Sequence, residues 1–380
     1  MPANPIRVLM VTSEWPEPGV NITSHFIKRQ ADFLAAAGVD VTVFPFKGRK
    51  NPFNYLKNWV RFQAKLRQER YDLVHAQFGQ SGLLALPKRL PLVVTFRGSD
   101  LLGTVSDKTR RHRKIGALHQ YLSRLVAARA DAVILVAEHM KGQLPSSLNS
   151  HVIPSGIDLQ LFRPTEKGIA RNQLGLPEAE RLVLFVGRTN HGRKRGWLAE
   201  QAVDILNKSL PARLVVAWRV PHTEIPLYMS ACDALVFTSM QEGSPNVVKE
   251  ALACNLPIVS VPVGDVESRL KGVEGCEICS NDDPATIAAA LNRVLRRNGR
   301  TNGRETVLAL DENITTEQVI TIYEAVLSRG WPVHNARSLL SKQSRLSAEK
   351  RTIFETYDYH ATSIKLNELG GDEGWRSWTS

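Results

Sequence analysis

The sequence predicts an α/β protein built from two doubly wound parallel-sheet domains. Three observations predict it. Short β-branched apolar runs alternate with segments of helical period from residue 6 to about residue 328, the βαβα pattern of parallel sheets. A turn-rich stretch, Pro154-Ser-Gly-Ile-Asp158 followed by Phe162 and Pro164, divides the series into two sets. The stretch Glu242-Gly-Ser-Pro-Asn-Val-Val-Lys-Glu250 lies between two such runs, Ala234-Leu-Val-Phe-Thr-Ser and Pro257-Ile-Val-Ser-Val. Those flanks read as strands buried on both faces. The expected divisions are residues 1–162, 163–330 and a tail, 331–380, that shows no βα pattern.

In the first set, Ile6–Thr12 reads as a strand and Ser24–Gly38 as a helix that a glycine ends. Val39–Phe46 is the next strand. This βαβ opening lacks G-x-G-x-x-G, so it is not the dinucleotide fingerprint. Strands follow at 72–76, 92–96, 131–136 and 152–154, with helices expected over about 51–70 and 108–129. The second set opens with Leu182-Val-Leu-Phe-Val-Gly-Arg188. A helix at Trp197–Asn207 and a strand at Leu214–Trp218 come next. The segment from there to Ala234 is short for a full βα unit. Helices are expected at about 284–297 and 315–328.

The chemistry concentrates at 242–250. Ser244 suits an N-cap and Pro245 the first helical position, where a missing N–H costs nothing. The backbone N–H groups that follow, from Asn246 and Val247, then face outward with the positive end of the helix dipole, a site for a phosphate. Glu250 falls one turn after Asn246 on the same face. Glu242 sits in the loop at the carboxyl end of its strand, where open α/β sheets bind ligands. Two carboxylates beside an anion site fit a ligand carrying both phosphate and hydroxyls, as a nucleotide-sugar does.

This E-x7-E stretch, in the setting E-G-S-P-N-V-V-K-E-A, resembles the donor-site signature of the retaining GT-B glycosyltransferases of family 4. The resemblance implies two Rossmann-like domains that face each other across a cleft. It implies that Glu250 holds the ribose hydroxyls and that Glu242, with Gly243, contacts the transferred sugar. Arg188 after Gly187, and Lys194 ahead of Gly196, match the family's diphosphate-binding pair, and Arg193 and Arg195 compete for Lys194's part. The first loop, whose only glycine is Gly19, would lie over the donor. The last helix would cross back to the first domain. Arg97-Gly-Ser-Asp100 stands where the family usually has His-Gly-x-Asp. A guanidinium is not a general base. Arg97 binds a phosphate or carboxylate, or is paired to Asp100. His75, at another strand end, either serves the acceptor or is structural.

The rest bounds the partners. Hydrophobic content of 43% and charged content of 23% fit a soluble globular chain, and no run of eighteen apolar residues is present. No signal peptide opens the chain, so a cytoplasmic protein is expected. The four cysteines are too scattered for a disulfide framework, and the lone Cys276-x-x-Cys279 is insufficient for a structural zinc. The net charge of +12 points to an anionic partner. Basic stretches at Lys47–Arg70, with Phe53, Tyr55, Trp59 and Phe62, and at Lys108–Lys114 read either as a peripheral contact with an anionic membrane or as solvated faces. No nucleic-acid module is present. With no Asp-x-Asp, neither a metal nor another cofactor is expected. The sequence reading is therefore a metal-independent hexosyl- or hexosaminyltransferase acting on a saccharide, glycolipid or lipid-linked acceptor. A GT-B nucleotide-sugar epimerase and a non-catalytic sugar- or polyanion-binding protein are the alternatives.

Overall fold

The computed structural model describes residues 5–16, 25–48, 51–103 and 114–329. Gly19, most of the Lys108–Lys114 cluster and the tail beyond 330 lie outside the described residues.

The first set of elements is β1 (Arg7–Thr12), α1 (His25–Ala36), β2 (Asp40–Pro45), α2 (Pro52–Gln68), β3 (Leu73–Gln77), the one-turn α3 (Gly79–Gly82), β4 (Leu92–Phe96), the short α4 (Ser99–Leu102), α5 (Lys114–Ala127), β5 (Ala132–Leu135) and β6 (Ser150–Val152). They form a parallel sheet in the order β2-β1-β3-β4-β5-β6. The second set is α6 (Lys167–Gln173), β7 (Leu182–Val186), α7 (Gly196–Leu206), β8 (Arg213–Ala217), α8 (Ile225–Ala231), β9 (Ala234–Phe237), α9 (Asn246–Ala253), β10 (Ile258–Ser260), α10 (Val266–Leu270), β11 (Glu277–Ile278), α11 (Pro284–Arg297), α12 (Gly303–Val307) and α13 (Glu312–Ser328). Its parallel sheet runs β11-β10-β9-β7-β8.

In each sheet the strand order reverses beside the first strand, between β1 and β3 and between β7 and β9. The carboxyl ends of strands at such a reversal leave a crevice. β3, β4, β5 and β9 are buried along their whole length, β5 and β9 as unbroken apolar runs and β3 and β4 with His75, Gln77 and Thr95 buried among apolar neighbours.

Helix ends follow local chemistry. The Asn51 side chain caps α2 by accepting from the Phe53 N–H. The Asp283 carboxylate caps α11 ahead of Pro284 by accepting from the Ala285 and Thr286 N–H groups. α13 starts at Glu312, earlier than expected, because Asp311 caps it by accepting from the Asn313 N–H at 2.8 Å. Between β8 and β9 there is only the turn His222–Glu224 and the seven-residue α8, matching the short segment in the sequence.

α13 packs on the first sheet. Val319, Ile322, Tyr323, Val326 and Leu327 share a core with Val8 and Met10 of β1 and with Ile27 and Leu34 of α1. The link after β6 is fixed to this return: Ile157 N donates to Leu310 O at 2.8 Å, and Glu312 N donates to Ile157 O at 2.9 Å. Gly156 has no room for a side chain, since a Cβ there would stand 2.8 Å from the Glu312 Cα.

His75 is a correction. It lies inside β3, fully buried, with Nδ1 2.6 Å from the Tyr323 hydroxyl and Nε2 2.7 Å from Thr95 Oγ1. Burial pushes its pKa down to about 3, so the ring is neutral. It ties β3 and β4 to α13 and does not reach the rim. All four cysteines are free thiols, and Cys276 and Cys279 flank the short strand β11.

Candidate active site

Between the carboxyl ends of the two sheets lies a cavity of about 370 Å³. Glu14, Arg29 and Arg97 line it from the first sheet's side; Arg193, Lys194 and His222 line it from the second. Residues 242–247 and Glu250 also line it. A larger cavity of about 1060 Å³, beside α10, contains neither motif carboxylate.

The motif folds as a strand, a loop and a helix, with one shift. α9 begins at Asn246, Pro245 occupies the cap position with extended backbone, and no side chain caps the helix. Ser244 is therefore not the N-cap, and Pro245 is not the first helical residue. The Ser244 hydroxyl instead accepts from Arg269 Nη2 at 3.4 Å. The first N–H groups of α9 are left for a ligand. The buried Asn246 Oδ1 beside them has no hydrogen-bond partner.

Gly243 is needed for close approach. A Cβ there would stand 2.7 Å from Arg97 O and 3.2 Å from the Gly98 Cα. The loop after Glu242 thus rests directly on the end of β4.

Glu242 takes an ion pair from Lys194, with Nζ 3.1 Å from Oε1. Burial alone would raise its pKa, but the charges of Lys194 and Arg193 outweigh it and hold the carboxyl below the usual range. The loop before α7 is stitched to the end of β9. Met240 N donates to Arg193 O at 2.8 Å, and Thr238 Oγ1 donates to Lys194 O at 2.9 Å. Arg193 Nε is buried without a partner. Arg195 is excluded from Lys194's part, since its Nε donates to Thr238 O and its Nη1 pairs with Asp282, away from the cavity. Arg188 is exposed and does not line the cavity. Gly187, at φ +134°, ends β7 with its N–H on Ala217 O and turns the chain into this loop.

Glu250 is buried, with Oε1 3.1 Å from His222 Nε2 and 3.9 Å from Arg29 Nη1. Burial is again the largest influence and raises its pKa. The His222 hydrogen bond and the charges of His222, Arg29 and Lys249 overcome it, leaving the carboxyl below the usual range. Arg29 also donates to Glu312 Oε2 at 2.6 Å and to Gly156 O at 2.5 Å. Lys249, fully buried in the middle of the motif, donates to Ser155 O at 2.7 Å, and burial pushes its pKa down to about 7.

Arg97 lines the cavity, but its side chain is not paired to Asp100. The Asp100 carboxylate is buried and accepts from the backbone N–H groups of Arg97, Gly98, Leu101 and Gly79, so it holds the turn after β4 and is not an acceptor-side group. Arg29, Lys249 and His222 are site residues that sequence reading missed. Arg29 and Lys249 sit on helices whose apolar pattern conceals them. His222 had a usable signal, since it follows the carboxyl end of β8.

Two parallel-sheet α/β domains with this cleft between them make the chain a GT-B protein. Two family models match it: Glycosyltransferase Family 4 over residues 2–161 and Glycosyl transferases group 1 over residues 182–297. The chain belongs to the GT-B glycosyltransferases of family 4. Among curated relatives, it is 30% identical over 243 residues to TuaC of Bacillus subtilis, a protein named as a teichuronic acid biosynthesis glycosyltransferase; the match covers 57% of this chain and 60% of TuaC. It is 28% identical over 284 residues to a D-inositol 3-phosphate glycosyltransferase of Geodermatophilus obscurus, covering 63% of this chain and 62% of that one. The chain thus spans less than two thirds of the length of these relatives. Among solved structures, sucrose-phosphate synthase from Thermosynechococcus elongatus superposes with a TM-score of 0.74 at 20% identity, covering 86% of this chain and 100% of that one. HepE from Anabaena, in complex with UDP, superposes with a TM-score of 0.60 at 18% identity, covering 84% of this chain and 100% of that one. At these identities the two structures bear on the fold.

Proposed function

We propose that the protein is a retaining glycosyltransferase that moves a hexosyl or hexosaminyl group from a nucleotide diphosphate sugar to a saccharide, glycolipid or lipid-linked acceptor. The observation that carries it is a single cleft uniting the Lys194–Glu242 pair, Arg193 with its buried Nε, the uncapped start of α9 and Glu250. The ribose hydroxyls bind Glu250, whose Oε2 accepts no bond among the described residues. The diphosphate lies on the first N–H groups of α9 and on Lys194 and Arg193. Arg188, exposed at the end of β7, would join them by reaching in once the donor is bound. Glu242 orients the transferred sugar.

As the sugar–phosphate bond breaks, its electron pair goes to the leaving diphosphate, whose added charge fixed cations stabilise. The acceptor hydroxyl attacks the same face of the sugar and passes its proton to a phosphate oxygen. No protein base is needed, which suits an arginine at position 97. These groups supply positive charge without a metal. The UDP in the HepE structure supports a nucleoside diphosphate, and the TuaC name supports surface polysaccharide synthesis.

Calorimetric titration with UDP-, GDP- and ADP-sugars tests the reading. Glu250→Ala is expected to weaken the best donor by roughly 10- to 100-fold, the loss of a charge-assisted hydrogen bond. Undiminished binding by the variant, or no binding of any donor by the native chain, would sink the assignment.

Peripheral membrane contact is also proposed. Of the four aromatics near α2, Phe62 is fully buried and Tyr55 and Trp59 pack on the core, whereas Phe53 is 77% exposed. With Leu56 and Val60, both more than half exposed, it forms one apolar helix face beside the exposed Lys57 and Arg61. Among the described residues, no helix is long and apolar enough to cross a membrane. The double variant Phe53→Ser, Leu56→Ser should lower sedimentation with phosphatidylglycerol-rich vesicles roughly tenfold or more. Equal sedimentation of native and variant chains would remove the contact.

A further inference from the structure

Two of the cations lining the cleft are held in ion pairs. Lys194 is paired with Glu242, whose carboxyl also feels Arg193, and Arg29 is paired with Glu312 and stands near Glu250. The Arg97 guanidinium has no carboxylate within 4 Å among the described residues. Its acceptors are all neutral: Gln77 Oε1 at 2.7 Å from Nη2 and 3.1 Å from Nε, Gln30 Oε1 at 3.0 Å from Nη2, and Ser155 Oγ at 2.6 Å from Nη1. Its flat face lies over the Phe26 ring, 4.6 Å from the centroid. Gln77 is itself held by Gln30, with Nε2 donating to Oε1 at 2.9 Å.

This arrangement aims a cation and does not neutralise it. A guanidinium has five N–H donors. The four contacts above use both hydrogens on Nη2, the one on Nε and one on Nη1, leaving a single Nη1 hydrogen, while Glu312, Asp100 and Glu14 act on the charge only from beyond ion-pair distance. Burial lowers the pKa only to about 10, so the group stays charged at neutral pH. A cation withdrawn from water with no carboxylate in direct contact carries part of that cost, and a ligand that brings an anion into contact recovers it.

The location says what the ligand is. The backbone of Arg97 and Gly98 abuts Gly243, the residue after Glu242, closely enough that no side chain fits between them. Arg97 and Glu242 line the same cavity, so where Glu242 orients the transferred sugar, Arg97 is open to that sugar or to the acceptor approaching it.

We propose that Arg97 is a specificity residue that reads an anionic group on a sugar, so that the enzyme handles an acidic saccharide of the hexuronate class. This rests on the donor-cleft reading above. The acid belongs to the transferred sugar or to the acceptor, and the experiment separates the two.

The first arm titrates matched donor pairs, UDP-glucose against UDP-glucuronate and GDP-mannose against GDP-mannuronate, alongside free UDP and GDP. The second titrates methyl glucoside against methyl glucuronide with the nucleotide bound. In one arm the acidic member should bind about 10- to 100-fold more tightly, as expected for a charge-assisted contact. Arg97→Gln should bring that ratio to about one and leave affinity for the free nucleotide within about twofold. Arg97→Lys, which keeps the charge, should restore part of the preference. A preference confined to the first arm assigns the acid to the donor, and one confined to the second assigns it to the acceptor. The proposal is overturned if neither arm favours the acidic member. It is equally overturned if Arg97→Gln and Arg97→Lys weaken acidic and neutral members alike, the signature of a structural arginine. Nucleotide binding without acid preference removes this inference alone; absence of nucleotide binding removes the donor-cleft reading with it.

Discussion

Lys194→Ala is expected to lower glycosyl transfer by roughly 10²- to 10³-fold, the loss typical of removing one fixed group that stabilises charge in the transition state. The deficit should fall mainly on kcat, because the charge on the diphosphate grows as the sugar–phosphate bond breaks. Stability should change little. The Lys194 side chain is 26% exposed, and a partly solvated ion pair contributes on the order of 0–1 kcal/mol. A second readout is the pH profile. Lys194 is a leading cause of the low pKa of Glu242, against the opposing effect of burial. Its loss lets Glu242 take up a proton at higher pH, so transfer by the variant should decline sooner on the acid side than transfer by the native enzyme. Single-turnover rates across acidic to neutral pH check both statements. A variant with native turnover and an unmoved acid limb would remove Lys194 from the mechanism.

Arg29→Met should be the most damaging single change to stability, at about 3–5 kcal/mol, since removing one member of a buried pair leaves its partner charged and alone. Glu312 is only 2% exposed, and Arg29 Nε is its 2.6 Å partner. The same guanidinium holds Gly156 O in the link between the sheets and stands 3.9 Å from Glu250. The loss therefore affects the α13 return, the link and the Glu250 carboxylate together. Guanidinium denaturation read by circular dichroism gives the size. Arg29→Met with Glu312→Leu should be milder than Arg29→Met alone, because no buried charge is then orphaned. Equal losses in the single and double variants would show that the pair is not what holds this junction.

The βα framework was legible because parallel strands buried on both faces are mostly apolar, and the longer helices between them carry apolar residues at helical spacing. β9 and β10 lie where the flanks of the motif placed them, and α11 coincides with the expected 284–297. The helix start at the motif was legible as a region but not to the residue. Ser244 has the right side chain for a cap, yet Arg269 takes its hydroxyl and Pro245 occupies the cap position. His75 and Arg97 both stand on strands of the first sheet, in or just beyond them, and residue type alone did not tell them apart. One meets Tyr323 from a helix about 250 positions later, and the other meets Gln30, Gln77 and Ser155.

By itself the sequence determined the secondary-structure rhythm, the division into two parallel sheets and the pairing of two carboxylates with a helix start. Each of these follows from periodicity or from chemistry within a few residues. Only the tertiary structure decided which charges are answered. Arg29 meets Glu312, Lys249 meets the Ser155 carbonyl, and Arg97 meets Gln30, Gln77 and Ser155 with no ion pair among the described residues. A buried charge is settled by whatever the fold brings within about 4 Å, where the Coulomb energy is large, and those partners lie tens to hundreds of residues away along the chain.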